Sequence, residues 1–178
     1  MMSTTSDVEI AKTYARLRDS KGEEFRNAVF NPTLSIACNL TYTIAKYIPD
    51  GPVFKSQVME EKWDIYTYND HLYFCRSWGG QLFYRVALQC EPPALRVLLV
   101  EASHKISEKS AIRDVDFLIK SHVLSAKALH PLPQELGRDT QKLALFSFSA
   151  YGRMGLYGTF EETIGTPYYG DRSVLERR

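Results

Sequence analysis

The chain has 178 residues, of which 44% are hydrophobic and 24% are charged, a composition that lets a chain bury enough apolar surface to fold. Its 22 Lys and Arg residues nearly balance its 21 Asp and Glu residues, which argues against binding to duplex nucleic acid. We find no secretory signal, apolar membrane span or C-x-x-C pair, so we expect a cytoplasmic protein that does not contact a membrane. The length predicts a single globular domain over residues 1–160, with a loosely held tail over 161–178.

Two helices are predicted in the N-terminal part of the chain. Residues 7–19 carry apolar side chains at helical spacing, with Ser6 as the N-cap and Glu9 completing a near capping box. A second helix is predicted over 34–48, between two proline-containing turns. Its apolar stripe consists of Leu34, Ala37, Cys38, Thr41, Ala45 and Ile48.

An aromatic β-meander follows. Residues 63–68, 71–78 and 81–89 are rich in aromatic and β-branched side chains. They are separated by Asn69-Asp70 and Gly79-Gly80, which suit two-residue hairpin turns. Residues 95–102 are predicted to add a fourth strand.

The C-terminal part predicts two more helices. Residues 110–126 repeat apolar side chains at helical spacing, and a proline-containing loop follows at 130–133. Residues 139–151 are interpreted as a buried helix, although the alternation from 146 to 149 leaves a strand open. The predicted fold is therefore α+β, an antiparallel meander of three to four strands packed against about four helices.

Arg76 is the first candidate binding residue. Strand alternation places it on one face with Leu72, Phe74 and Trp78. A guanidinium among apolar groups needs an anion. We therefore expect it to meet either a carboxylate, such as Asp64 or Glu101, or an anionic ligand.

Two glycine-containing segments allow a close approach of the backbone to a ligand. The run from Ser77 to Gly80 can cradle a phosphate beside the Trp78 ring, or it can simply form a hairpin turn. The segment from 151 to 158 alternates glycine with larger residues and offers Arg153 for charge and Tyr157 for stacking. A helix C-terminus explains Gly152 equally well.

No catalytic residue is assigned from the sequence. The four histidines are scattered and form no metal-binding motif, so neither a metal site nor a cofactor is expected. Cys38 and Cys75 lie in apolar or strand contexts that raise a thiol pKa, which makes a cysteine nucleophile an unsuitable assignment.

The run from Leu72 to Gly80, followed by Tyr84, resembles an aromatic-Arg-Ser-Trp-Thr-Gly hairpin segment of bacterial proteins, some of which are associated with ADP-ribosylglycohydrolase-type domains. Gly79 stands where that pattern has threonine, and the acidic metal-binding motifs of the hydrolase are absent from the sequence. The resemblance implies an accessory domain or a defence-linked protein, and it favours a ligand role for Arg76.

Two main functions follow from these patterns. The first is a non-catalytic protein-binding module, such as an immunity-type or regulatory protein of a bacterium or phage, with an exposed aromatic patch on the sheet or the glycine-rich segment. The alternative is a small enzyme or sensor for a nucleotide-like or ADP-ribose-like anion. Single-strand nucleic-acid binding by the aromatic strands is a third option. The candidate ligand-binding residues are Arg76, Ser77, Trp78, Arg153 and Tyr157.

Overall fold

The computed structural model describes residues 6–26 and 28–170 and shows an α+β protein with a six-stranded antiparallel sheet and three α-helices. Contacts divide the chain after Ile106 into two compact units. The prediction of a single domain over 1–160 stays a prediction. Of the tail predicted over 161–178, residues 171–178 lie outside the part of the chain that the structure describes.

The first unit begins with helix α1 and continues into the sheet. Helix α1 is Val8–Asp19, and the strands are β1 Leu34–Thr43, β2 Gly51–Phe54, β3 Trp63–Tyr68, β4 His71–Arg76, β5 Leu82–Glu91 and β6 Ala94–Ala102. The strand order is β1-β6-β5-β4-β3-β2. Strands β3 to β6 form the predicted meander, and β1 and β2 become its two edges. The expected count of three to four strands is therefore too low, and the expected count of about four helices exceeds the three α-helices of the described residues.

The predicted helix over 34–48 is wrong, because this segment contains the ten-residue edge strand β1. Its even-numbered residues alternate with exposed neighbours, so that Ile36, Leu40 and Tyr42 are buried. A period of two is the signature of a strand with one buried face. The helical stripe and the inner face of the strand share Leu34 and Cys38, and the pairing of β1 with β6 decided between the two structures.

The Asn69-Asp70 turn has the geometry that its sequence predicts. Both residues have positive φ angles, 51° and 57°, as a two-residue type I′ hairpin requires. The second predicted hairpin is longer, because β4 ends at Arg76 and β5 starts at Leu82. Trp78 therefore lies in the connecting loop and not on the strand.

The second unit contains helix α2 Glu108–Leu118, which continues as a π-helical turn over Ile119–Val123. Helix α3 is Thr140–Tyr151, which confirms the helix predicted there and removes the strand alternative. Short strands pair around them: β7 Ala126–Lys127, β8 His130–Pro131, β9 Gly158–Thr159 and β10 Tyr169–Gly170. Strand β8 pairs with β9 in parallel, and β10 pairs with β7.

Helix ends follow simple capping chemistry. The Asp7 carboxylate accepts hydrogen bonds from the backbone amides of Glu9 and Ile10, so the N-cap of α1 is Asp7 and not Ser6. Asp139 caps α3 in the same way. Gly152 ends α3 with a φ of 62°, a conformation that glycine adopts most readily.

Candidate docking groove

The predicted site residues Arg76, Ser77 and Trp78 lie together in the first unit, whereas Arg153 and Tyr157 belong to the second. The Arg76 guanidinium carbon lies 4.5 Å from the centroid of the Trp63 ring and 5.1 Å from that of Phe83. These are cation–π distances. Arg76 is therefore stacked on aromatic rings at the end of its strand.

The carboxylates expected beside Arg76 have other partners. Asp64 lies opposite Cys75 in the register, which points it to the sheet face away from Arg76. Its carboxylate pairs with Arg18 at 2.5 Å and with Lys55 at 3.5 Å. Glu101 pairs with Arg85 at 2.6 Å. Adjacent strand residues point to opposite faces, so the register corrects this expectation.

Ser77 is buried and serves the local structure. Its hydroxyl donates to the carbonyl of Glu61 at 2.7 Å, and its backbone amide donates to the carbonyl of Lys62 at 3.2 Å. The carbonyl of Ser77 accepts a hydrogen bond from Arg18. These contacts tie the loop after β4 to the segment before β3, and a ligand role for Ser77 stays a prediction.

The aromatic sheet does not offer the exposed patch expected of it. All six residues of β3 are buried, and Tyr66, Tyr68, Tyr73 and Cys75 form one core cluster. Phe25 packs on that cluster, with its ring centroid 5.7 Å from that of Tyr73. The aromatic side chains of β3 are therefore core residues and offer no stacking face for single-stranded nucleic acid.

In the second unit, α3 is held at its C-terminal end by Tyr151. The Tyr151 ring is 1% exposed and lies 4.7 Å from the Phe117 ring and 4.9 Å from the His130 ring, between centroids. Its hydroxyl donates to the Asp114 carboxylate at 2.6 Å. Tyr151 thus anchors α3 to α2 and β8.

The rest of α3 is apolar but poorly covered. Tyr151 is the buried residue of this helix, whereas Leu145 is 68% exposed and Phe148 is 49% exposed. The expectation of a buried fourth helix is therefore wrong. Composition predicted burial because a helix that is apolar on all sides normally lies in a core.

A groove of about 430 Å³ runs between α3 and the glycine-rich segment that follows it. Its larger apolar lining residues are Leu132, Leu143, Phe148 and Leu156. Its smaller lining residues are Ala144, Ser147, Gly152, Gly155 and Gly158, and His130 completes the wall. The groove volume falls within the usual range of binding pockets.

The glycines around the groove have packing reasons. A side chain on Gly158 would place its Cβ 2.6 Å from the His130 ring and 2.8 Å from Leu132. Gly155 approaches the α3 backbone, where a Cβ would lie 3.2 Å from the carbonyl oxygen of Ser147. Close approach of the segment to its neighbours therefore excludes larger residues and shapes the groove.

The groove wall is electrically neutral at His130. Burial lowers the pKa of His130, and the hydrogen bond between its Nδ1 and the carbonyl of Pro131, 3.2 Å long, offsets this only in part. A buried imidazole with a lowered pKa is uncharged at neutral pH. The wall and floor are thus suited to apolar side chains.

The two remaining predicted site residues lie beside this groove on the surface. Arg153 is exposed in the turn Gly152–Met154, and Tyr157 is 70% exposed next to the groove residue Leu156. The sequence analysis missed Leu145, Phe148, Leu156 and His130. The signal that identifies them is a helix with apolar residues on every side next to a glycine-rich segment.

Among the described helices none is long and apolar enough to cross a membrane. In the same part of the chain, no three His, Cys, Asp or Glu side chains group in a way that could hold a metal ion. Comparison of the chain with protein-family models, curated proteins and solved structures gives no match.

Proposed function

We propose that this chain is a non-catalytic protein-binding module, and that its docking surface is the exposed face of α3 with the adjoining groove. One observation carries the proposal: the apolar side chains of α3 are distributed around most of the helix, yet only Tyr151 is buried. Contiguous exposed apolar surface on a folded protein is typical of an interaction site.

The exposed side chains suit the role of anchors. Burying one leucine or phenylalanine contributes about 1.5–3 kcal/mol, and a few such anchors dominate the affinity of most protein interfaces. Leu145, Phe148 and Leu156 are 68%, 49% and 70% exposed. Their burial would supply a driving force that α3 does not obtain within its own unit.

A protein partner fits this surface better than a small molecule. The groove residues Phe148 and Leu156 extend the apolar surface to neighbours that do not line the groove, namely Leu145 and Tyr157. A small ligand in the groove would leave those neighbours in water. A partner presenting an apolar helix face or loop would cover both regions.

Within this proposal, the module acts by binding a protein partner through this surface, as an immunity-type or regulatory protein of a bacterium or phage would. No catalytic step is part of the proposal. The measurable effect of the module would be inhibition or recruitment of the protein that it binds.

The test is photo-crosslinking in the native host from position 145. A photoreactive residue replaces Leu145, and the same residue at Val29, which is 88% exposed in the first unit, serves as the matched control. We expect protein adducts from position 145 that disappear on adding Phe148→Glu. Equal adducts from both positions, or none from position 145, would contradict the proposal.

A second candidate function is anion binding by Arg76 or Arg153. One observation favours it for Arg76: burial and the Arg76 charge lower the pKa of His104. Burial also lowers the pKa of Lys62, where the opposing charge of Glu60 raises it and Arg76 lowers it further. Arg76 and Lys62 therefore place two positive charges in one region of the first unit, where an anionic ligand would relieve their repulsion.

To test this second candidate, the melting temperature of the protein is measured at increasing concentrations of ADP-ribose. Arg76→Ala and Arg153→Ala are examined separately, because the two arginines belong to different units. A rise in melting temperature that one of the still-folded variants loses would support the anion site. The absence of any rise would remove it.

A further inference from the structure

A projection and a recess occur together on the docking surface. Leu145 is 68% exposed, and Phe148, one turn later on α3, lines the groove. Side chains three positions apart in a helix lie on the same face. The projecting leucine and the groove are therefore presented in the same region of the surface.

A surface that carries both a projection and a matching recess can pair with itself. In a two-fold symmetric interface, the same patch meets itself, so each feature of one copy meets its complement on the other. Groove residues Ala144 and Ser147 are small, which leaves room for an inserted leucine.

The area of exposed apolar surface is close to what a dimer needs. An aromatic side chain offers about 150–250 Å², so the 49% exposure of Phe148 and 70% exposure of Tyr157 leave roughly 100–150 Å² each. Leu145 and Leu156, at 68% and 70% exposure, offer on the order of 100 Å² each.

These four side chains give roughly 450 Å² of apolar area per copy. Protein interfaces are about 60% apolar, so a polar rim brings the buried area to roughly 750 Å² per copy. A stable standard interface buries about 800 Å² per partner. The apolar surface together with such a polar rim is thus close to the area that a dimer needs.

The charges at the start of α3 do not oppose such pairing. Lys142 lies 3.4 Å from the Asp139 carboxylate, and both are partly exposed. Because the two charges neutralise each other, this pair adds no net charge to the surface that a second copy would meet.

We infer that the partner of the α3 surface is a second copy of this chain, in a two-fold symmetric dimer in which Leu145 of each copy fills the groove of the other. The inference rests on the proposed protein-binding function and names the partner of that same surface.

Sedimentation velocity of the purified full chain over about 1–100 µM tests the inference, since standard interfaces give affinities in this range or tighter. We expect a species of twice the 20.4 kDa chain mass. Leu145→Glu removes the projection, and Ala144→Trp fills the groove without adding charge. Each variant should weaken the dimer at least about 30-fold, whereas Val29→Glu should not.

The outcomes separate this inference from the proposed function. A chain that is monomeric throughout, or a dimer that both Leu145→Glu and Ala144→Trp leave intact while far-UV circular dichroism shows them folded, overturns the inference. A monomer that still forms adducts with another protein from position 145 overturns the dimer alone. A monomer without adducts overturns the dimer and the proposed function together.

Discussion

Helices α2 and α3 of the second unit are similar in length but opposite in how they use their side chains. Helix α2 buries six of its residues, including the charged Arg113 and Asp116. Helix α3 is more apolar but buries Tyr151 alone. Helix α2 therefore buries charged side chains, whereas α3 exposes leucine and phenylalanine side chains to solvent.

The difference teaches that apolar composition and burial have to be considered separately. The charged groups of α2 are paired or hydrogen-bonded: the Lys120 ammonium donates to Asp116 at 2.7 Å and to the carbonyl of Thr163 at 3.0 Å. Partnered charges can be buried at acceptable cost. The exposed apolar groups of α3 obtain no such compensation within the unit, which is why we assign them to an interface.

The same substitution made in each helix gives the largest contrast. Phe117 of α2 is 1% exposed, so Phe117→Ala should cost about 3–5 kcal/mol in the free energy of unfolding. Phe148 of α3 is 49% exposed, so Phe148→Ala should cost at most about 1 kcal/mol. Urea unfolding measures both, at a concentration where the chain is monomeric. Equal costs would show that α3 belongs to the core.

The buried ion pair of α2 is the next test. Asp116→Ala leaves the ammonium of Lys120, which is 3% exposed, without its carboxylate, and should cost about 3–5 kcal/mol. The double variant Asp116→Leu, Lys120→Met removes both charges and should recover most of that loss. Denaturant unfolding measures the free energy of unfolding of the single and double variants. A double variant that is less stable than the single one would contradict the account.

The floor of the α3 groove can be tested through Gly158. Gly158→Ala places a methyl group 2.6 Å from the His130 ring and should cost about 1–3 kcal/mol through overpacking. Gly79→Ala is the matched control, because a Cβ there meets nothing within 4 Å. Thermal unfolding compares the two variants. A neutral Gly158→Ala would mean that the groove wall is looser than its contacts indicate.

The smallest expected effect is a pH dependence from His122 in the π-helical turn. The Ser121 hydroxyl donates to the carbonyl of Phe117, so Nδ1 of His122 donates to Ser121 at 2.7 Å. Burial lowers the pKa of His122 from 6.5 to about 3. Below pH 6.5 the unfolded chain therefore binds a proton that the folded chain does not, and stability falls by about 1.4 kcal/mol per pH unit.

His122→Asn removes this titration while keeping an amide that can donate to Ser121. Urea unfolding at pH 7 and pH 5.5 should therefore show a shallower loss of stability in the variant than in the parent chain. Parallel curves for the two proteins would show that His122 takes up its proton in the folded state as well.

Local chemistry made part of the fold predictable. The Asn69-Asp70 turn and the aromatic and β-branched residues of 63–68 predict a hairpin, and the structure has it. The prediction for residues 34–48 was wrong because Leu34 and Cys38 fit both a helical stripe and the inner face of a strand. Pairing with β6, more than fifty residues later in the chain, decided for the strand, and no local pattern contains that information.

The sequence predicted residues that lie around the candidate site, but not the exposed apolar side chains of α3 that form it. The glycine-rich segment and Tyr157 were identified from the sequence, and both lie at the groove. Leu145 and Phe148 were assigned to a core, because sequence composition shows that a helix is apolar but not which of its sides another element covers. Arg76 was a candidate because a guanidinium among apolar side chains needs an anion, and in the structure it stacks on the Trp63 ring.

The central claim is that the apolar face of α3 lies in water in the isolated chain and is covered on association. Hydroxyl-radical footprinting with mass spectrometry, over a dilution series of the purified protein, tests it most directly. We predict strong oxidation of Leu145, Phe148, Leu156 and Tyr157 at the lowest concentration, and protection of these residues alone as concentration rises, with Phe117 protected throughout. Protection of Leu145 and Phe148 already in the dilute monomer would contradict the account, because the chain would then cover α3 by itself.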